Sequence, residues 1–175
     1  MNDELYDKMF LVIDMEKPRR KPNRIADYDY SQSGAYFITI CTQNHAQILS
    51  SIVGDGAHDV PITALTDIGK IADKYILSTN NIPSVTVDKY VIMPNHIHVI
   101  LIVDNNGTSK APSPTNNIIS HSVSTLKRFI NKDIGYNIFQ RSFYDHIIRD
   151  ENDYLKIWNY VDTNPAKWKE DKYYK

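Results

Sequence analysis

The chain has 175 residues, enough for one domain with a buried core. Basic and acidic residues number 20 and 21, a net charge of −1, which argues against non-specific coating of nucleic acid through many phosphate contacts. The single cysteine, Cys41, excludes an intramolecular disulfide, and no apolar run approaches the roughly 20 residues that a membrane-spanning helix needs. Asp3 and Glu4 stand where a signal peptide would carry its basic end, so a cytoplasmic, membrane-free protein is expected.

Residues 1–33 read as an irregular arm broken by Pro18 and Pro22. Its segment Lys17-Pro-Arg19-Arg20-Lys21-Pro-Asn-Arg24 packs five positive charges into eight residues. A single domain is expected over 34–175. Gly34 opens a strand over Ala35–Cys41, rich in aromatic and β-branched residues. His45–Pro61 reads as a loop with room for a short strand at Ala46–Ile52. Thr66 caps a helix that begins at Asp67, where Ile68, Ile71, Ala72, Tyr75 and Ile76 keep helical spacing until Asn80-Asn-Ile-Pro83. Val85–Met93 and His96–Val103 are apolar runs joined by Pro94-Asn95, the pattern of an antiparallel hairpin. A polar loop follows at Asp104–Asn117, then a helix over Ile118–Ile130, a strand at Phe143–Arg149, and a last helix from Glu151 to about Asn164 capped by Asp150. The order predicts an α+β fold, a split β-α-β-β-α-β (ferredoxin-like) antiparallel sheet with helices on one face and an added C-terminal helix.

Side chains at i and i+2 of a strand share a face, so His96 and His98 stand side by side and can chelate one divalent ion. Two histidines alone are also compatible with a pair of ordinary half-buried residues, and they leave a metal site short of a ligand. In the last helix Tyr160 and Asn164, at i and i+4, share a face, and Pro165 disfavours helical geometry at Asn164, placing that amide at the helix tip. An amide oxygen is a hard ligand suited to Mg²⁺ or Mn²⁺. By themselves these two are equally a rim aromatic and a helix terminator.

The run Tyr90-Val-Ile-Met-Pro-Asn-His96-Ile-His98-Val-Ile resembles the His-hydrophobic-His (HUH) motif of single-tyrosine transposases. Gln140-Arg-Ser-Phe-Tyr-Asp-His146-Ile-Ile-Arg149-Asp and Asp153-Tyr-Leu-Lys-Ile-Trp-Asn-Tyr160-Val-Asp-Thr-Asn164-Pro165 resemble two downstream signatures of its REP-associated tyrosine transposase branch. The resemblance covers about Asp27 to Lys167. It implies that His96, His98 and Asn164 hold a divalent cation, Mg²⁺ or Mn²⁺, against a scissile phosphate, and that Tyr160 attacks it to form a 5′-phosphotyrosine. The substrate so implied is single-stranded DNA, often folded as a hairpin, handled by a monomer or homodimer. Candidate DNA contacts are Arg19, Arg20, Lys21 and Arg24 of the arm, Lys127 and Arg128 of the second helix, and the polar loop. His146 lies on a strand whose faces the pattern does not orient, and a structural hydrogen bond suits it as well as a catalytic role. His45, His58 and His121 read as surface or loop residues. Two other functions are open: a non-cutting module that binds hairpin DNA or RNA, and a metal-dependent phosphoesterase of small substrates in which Tyr160 is incidental. A Tyr160 hydroxyl unable to approach the histidine pair would exclude the transposase reading.

Overall fold

The computed structural model describes residues 32–54, 61–104 and 117–174. Arg19, Arg20, Lys21 and Arg24, His58, and residues 105–116 of the polar loop lie outside the described residues. Among the described residues six strands form in chain order: β1 (Gly34–Cys41), β2 (Ser50–Val53), β3 (Ile62–Leu65), β4 (Val85–Ile92), β5 (His96–Val103) and β6 (Tyr144–Ile148). Three α-helices join them: α1 (Asp67–Ser78), α2 (Ile118–Ile134) and α3 (Glu151–Thr163). The main sheet has strand order β4-β5-β1-β6 with every neighbouring pair antiparallel. Leaving out the β2–β3 hairpin, the order β1, α1, β4, β5, α2, β6 is the expected split β-α-β-β-α-β arrangement, with α3 added after it.

The sheet is buried on both faces, which is why β5 reads as a nearly unbroken apolar run rather than an alternating one. On one face Tyr36, Ile38 and Ile40 of β1 and Ile97, Val99 and Leu101 of β5 meet Ala72 and Ile76 of α1 and Ile119, Val123, Leu126 and Ile130 of α2. On the other, Phe37, Ile100 and Ile148 meet Val161 of α3, with Tyr154 and Ile157 of that helix packed around them. Each such side chain withdrawn from water contributes about 1.5–3 kcal/mol, so the second cluster suffices to hold α3 against the sheet. Asp88 interrupts the β4–β5 register as a bulge, and its carboxylate accepts a hydrogen bond from the Tyr154 hydroxyl at 2.8 Å, a second tie on α3.

Local chemistry sets the boundaries. The Thr66 hydroxyl accepts from the Gly69 amide at 3.0 Å and caps α1 as expected. Gly69 is required there by space, since a Cβ would lie 2.0 Å from the Leu49 carbonyl oxygen. Asn117 caps α2 through the Ser120 amide, and Gly135, at φ +90°, ends the helix one turn beyond the expected Ile130. That extra turn, Asn131-Lys-Asp-Ile134, is mostly polar and so fell outside the apolar spacing. The expected short strand at Ala46–Ile52 is shifted to Ser50–Val53, and its partner β3 carries no strand signal beyond four residues leading into the Thr66 cap. No helix among the described residues is long and apolar enough to cross a membrane.

Candidate active site

His96 and His98 both project from β5 toward α3 and are completely buried, beside Phe37 and Thr39 of β1. Their Nε2 atoms face each other at 3.0 Å. Protons on the outer nitrogens can be placed from the partners. The Asn95 Nδ2 donates to the Tyr173 carbonyl at 2.8 Å, which fixes the amide orientation, so Asn95 Oδ1 accepts from His96 Nδ1 at 2.8 Å. His96 Nε2 therefore carries a lone pair aimed at the centre of the site. The facing contact then needs its proton on His98 Nε2, with the Thr39 hydroxyl donating to His98 Nδ1 at 2.9 Å; because that hydroxyl can also accept, His98 can shift its proton to Nδ1 and offer Nε2 to a metal.

Burial acts first on both imidazoles. It lowers His96 from 6.5 to about 4, with Asp171 opposing and His45 and Lys172 adding to the fall. It lowers His98 well below the usual range, reinforced by His96 and Lys172. Both rings are neutral near pH 7, the state that binds a metal.

Asp150 caps α3 by accepting from the Asp153 amide, and the helix carries Tyr160 over the histidines. The Tyr160 hydroxyl lies 3.2 Å from His98 Nε2, and its ring meets Phe37 edge-on. The contact is made within one chain. The same hydroxyl donates to Asp171 Oδ2 at 3.1 Å. Burial raises the Tyr160 pKa above its ordinary value, and the charge and hydrogen bond of Asp171 raise it further, while Asn164 works the other way.

Asn164 is buried at the end of α3 as expected, but it keeps right-handed helical angles before Pro165, because the chain runs on into a 3-10 turn over Pro165–Glu170. Its Nδ2 donates to Asp171 Oδ2 at 2.9 Å, and its Oδ1 is buried with no hydrogen-bond partner. An orphaned buried oxygen and two facing imidazole nitrogens form a donor set that fits a divalent cation. Asp171 joins it: ligand atoms of His96, His98 and Asp171 all lie within 4.8 Å of one another.

Several placements differ from the sequence expectation or extend it. Asp171 was missed, because nothing in Trp168-Lys-Glu-Asp171-Lys-Tyr-Tyr174 has a ligand spacing. His45, expected as an ordinary loop residue, sits in a left-handed turn at the rim, where it stacks on Tyr173 at 6.1 Å and lies beside the Gln140 amide at 3.3 Å. Tyr173 itself lies against His96 at 4.6 Å. His146 lies on the α3 face of β6, opposite Phe37, and its Nε2 contacts Asp153 Oδ2 at 2.8 Å, tying the strand to the first turn of α3. His121 is exposed, as expected. Lys127 and Arg128 belong to the helical layer on the far face of the sheet. The Lys127 ammonium donates to the carbonyls of Gln140 at 2.9 Å and Ser142 at 3.0 Å, so it anchors that loop, while exposed Arg128 stacks on Phe129 at 5.0 Å.

No protein-family model matches the chain. It is 31% identical over 177 residues to an uncharacterised protein of Haemophilus influenzae, covering 89% of this chain and 93% of that protein. A candidate REP-associated tyrosine transposase of the same organism is 25% identical over 151 residues, 79% of this chain and 74% of its own length. Among solved structures, a REP-associated tyrosine transposase bound to a REP hairpin superposes with a TM-score of 0.58 at 22% identity, over 81% of this chain and 72% of that one. The fold is that of this solved transposase, and the chain is similar in sequence to the candidate REP-associated tyrosine transposase, with a histidine pair facing a helix-borne tyrosine.

Proposed function

We propose that the protein cleaves and rejoins single-stranded DNA at a specific, hairpin-associated site, through a covalent 5′-phosphotyrosine on Tyr160, as in DNA transposition. The observation that carries this is the Tyr160 hydroxyl 3.2 Å from His98 Nε2, a nucleophile held at the histidine pair rather than packed in a core. In the first step the Tyr160 hydroxyl gives up its proton to solvent and its oxygen bonds to phosphorus, the bond from phosphorus to the 3′-oxygen breaks, and that oxygen takes up a proton from solvent and leaves as a 3′-hydroxyl. Attack by the 3′-hydroxyl of an incoming strand reverses the step, so the bond energy is conserved and no ATP is required. A divalent cation, Mg²⁺ or Mn²⁺, held by His96, His98 and Asn164 would neutralise charge on the scissile phosphate and polarise its oxygen. Phe37 and Val161 fix the helix that aims the tyrosine, and the docked α3 keeps bulk water from the histidines, which limits simple hydrolysis.

The test is a labelled single-stranded hairpin oligonucleotide incubated with the protein and Mn²⁺, followed by denaturing electrophoresis. A covalent protein–DNA band is expected from wild type and none from Tyr160→Phe, with hairpin affinity nearly unchanged. An adduct persisting in the Phe variant would move the nucleophile elsewhere. Specific hairpin binding with no adduct under any divalent cation would instead favour the non-cutting binding module.

A further inference from the structure

We propose that Asp171, in the segment after the tyrosine helix, is a ligand of the cation, and that the same carboxylate positions the Tyr160 hydroxyl. The inference rests on the metal reading of the histidine pair given above.

Without Asp171 the donor set is electrically neutral: two uncharged imidazoles and an amide. Such a set binds a dication only through lone pairs and dipoles, whereas a carboxylate adds a full opposing charge beside the two buried imidazoles. Asp171 is the one carboxylate that stands with both histidines among the described residues, its ligand atom within 4.8 Å of theirs. Its surroundings hold it there. Oδ1 accepts from the Tyr173 amide at 2.7 Å, and Tyr173 is in turn clamped by its carbonyl to Asn95, the residue that orients His96. Oδ2 accepts from both the Tyr160 hydroxyl at 3.1 Å and the Asn164 amide at 2.9 Å.

Those two contacts show what a cation would meet. One carboxylate oxygen serves the nucleophile and the helix-tip amide together, while Asn164 Oδ1 is left buried and unpaired. A cation held at Oδ2 would compete with these two donors, so the carboxylate that would ligate the cation is also the group that positions the tyrosine hydroxyl and the Asn164 amide.

The experiment measures Mn²⁺ binding to the full-length chain without DNA, by titration calorimetry and by the paramagnetic resonance of free and bound Mn²⁺. Wild type, Asp171→Asn, Asp171→Ala, Asn164→Ala and His96→Gln are compared, with circular dichroism and thermal melts to establish folding. Loss of a partner outside the ligand set typically weakens metal binding by roughly 10–100-fold, and loss of a charged ligand should cost no less, so Asp171→Asn is expected to bind at least about tenfold more weakly. Asp171→Ala guards against an asparagine side chain serving as a ligand in its own right. A folded Asp171→Asn and Asp171→Ala that both bind Mn²⁺ within about twofold of wild type overturn the assignment of Asp171, while His96→Gln losing affinity keeps the metal site itself. Wild type that takes up no Mn²⁺, or His96→Gln that binds normally, removes the metal site and this inference together, whatever the hairpin assay for the adduct shows. For the positioned hydroxyl, Mn²⁺ should raise the rate of Tyr160 nitration by tetranitromethane in wild type but not in Asp171→Asn, and an unchanged wild-type rate refutes the competition.

Discussion

The buried histidine pair makes stability depend on pH between about 4 and 6.5. Burial holds His96 neutral in the folded state, lowering it from 6.5 to about 4, and pushes His98 in the same direction. Between those two values the unfolded chain binds more protons than the folded one, so stability is complete above pH 6.5 and is lost as the pH falls toward 4. At about 1.4 kcal/mol per pH unit, the fall at His96 corresponds to about 3 kcal/mol. His98 adds to it. With an m-value of roughly 2 kcal/mol/M in urea, that loss moves the unfolding midpoint down by about 1.5 M. The assay is urea denaturation in EDTA at a series of pH values from 7.5 to 4, following far-ultraviolet dichroism. Asp67, Asp133 and Asp153 do not confuse the result, because their partners hold them below 3.8 and they act only in stronger acid. A chain carrying both His96→Gln and His98→Gln should lose most of the slope between pH 6.5 and 4. A wild-type midpoint that stays flat across that window, or a double variant that falls as steeply as wild type, would refute the reasoning.

Asn95 should control the tautomer of His96: long-range ¹H–¹⁵N spectra of the metal-free chain are expected to show His96 protonated at Nδ1, and Asn95→Ala to yield a mixture, with Mn²⁺ bound about tenfold more weakly. Lys127→Met should cost about 1 kcal/mol in urea unfolding, because it deprives partly exposed loop carbonyls of a charged donor. It should also leave the salt dependence of hairpin affinity unchanged, since a lost phosphate contact would reduce that slope by about one.

Most of the fold was legible because its elements are long, periodic and bounded by residues with strong local preferences. Thr66, Asn117 and Asp150 each accept the amide that a cap must satisfy, and the Pro94-Asn95 link leaves no geometry for β4 and β5 other than a hairpin. The β2–β3 hairpin was not legible for the opposite reason. Its strands have four residues each, too short for an alternation to emerge, and their pairing depends on a contact that seats Leu49 and Ser50 against the β4–β5 turn. Lys127 carries a contact that pattern does not reveal: a basic residue on the polar side of a helix looks like any solvated charge, and only the loop at 140–142 folding back over it makes it a half-buried donor.

The site divides along the same line. His96, His98, Tyr160 and Asn164 are related by i+2 and i+4, spacings that a strand and a helix convert directly into shared faces, and the structure brings all four to one place. Asp171 has no such relation to any of them. It reaches the site because Asn164 keeps helical angles, the following residues coil into a 3-10 turn, and Trp168 is buried near His96, which returns the chain toward the histidines. Each of these is a consequence of packing rather than of pattern. The carboxylate is therefore placed by the burial of Trp168 as much as by its own chemistry, and Trp168→Ala should withdraw it. Such a variant would be expected to weaken Mn²⁺ binding as Asp171→Asn does, with no ligand atom removed. If it instead bound Mn²⁺ like wild type, the position of Asp171 would not depend on the turn, and the coupling between the tail and the nucleophile would have to run through the Asn95–Tyr173 clamp alone.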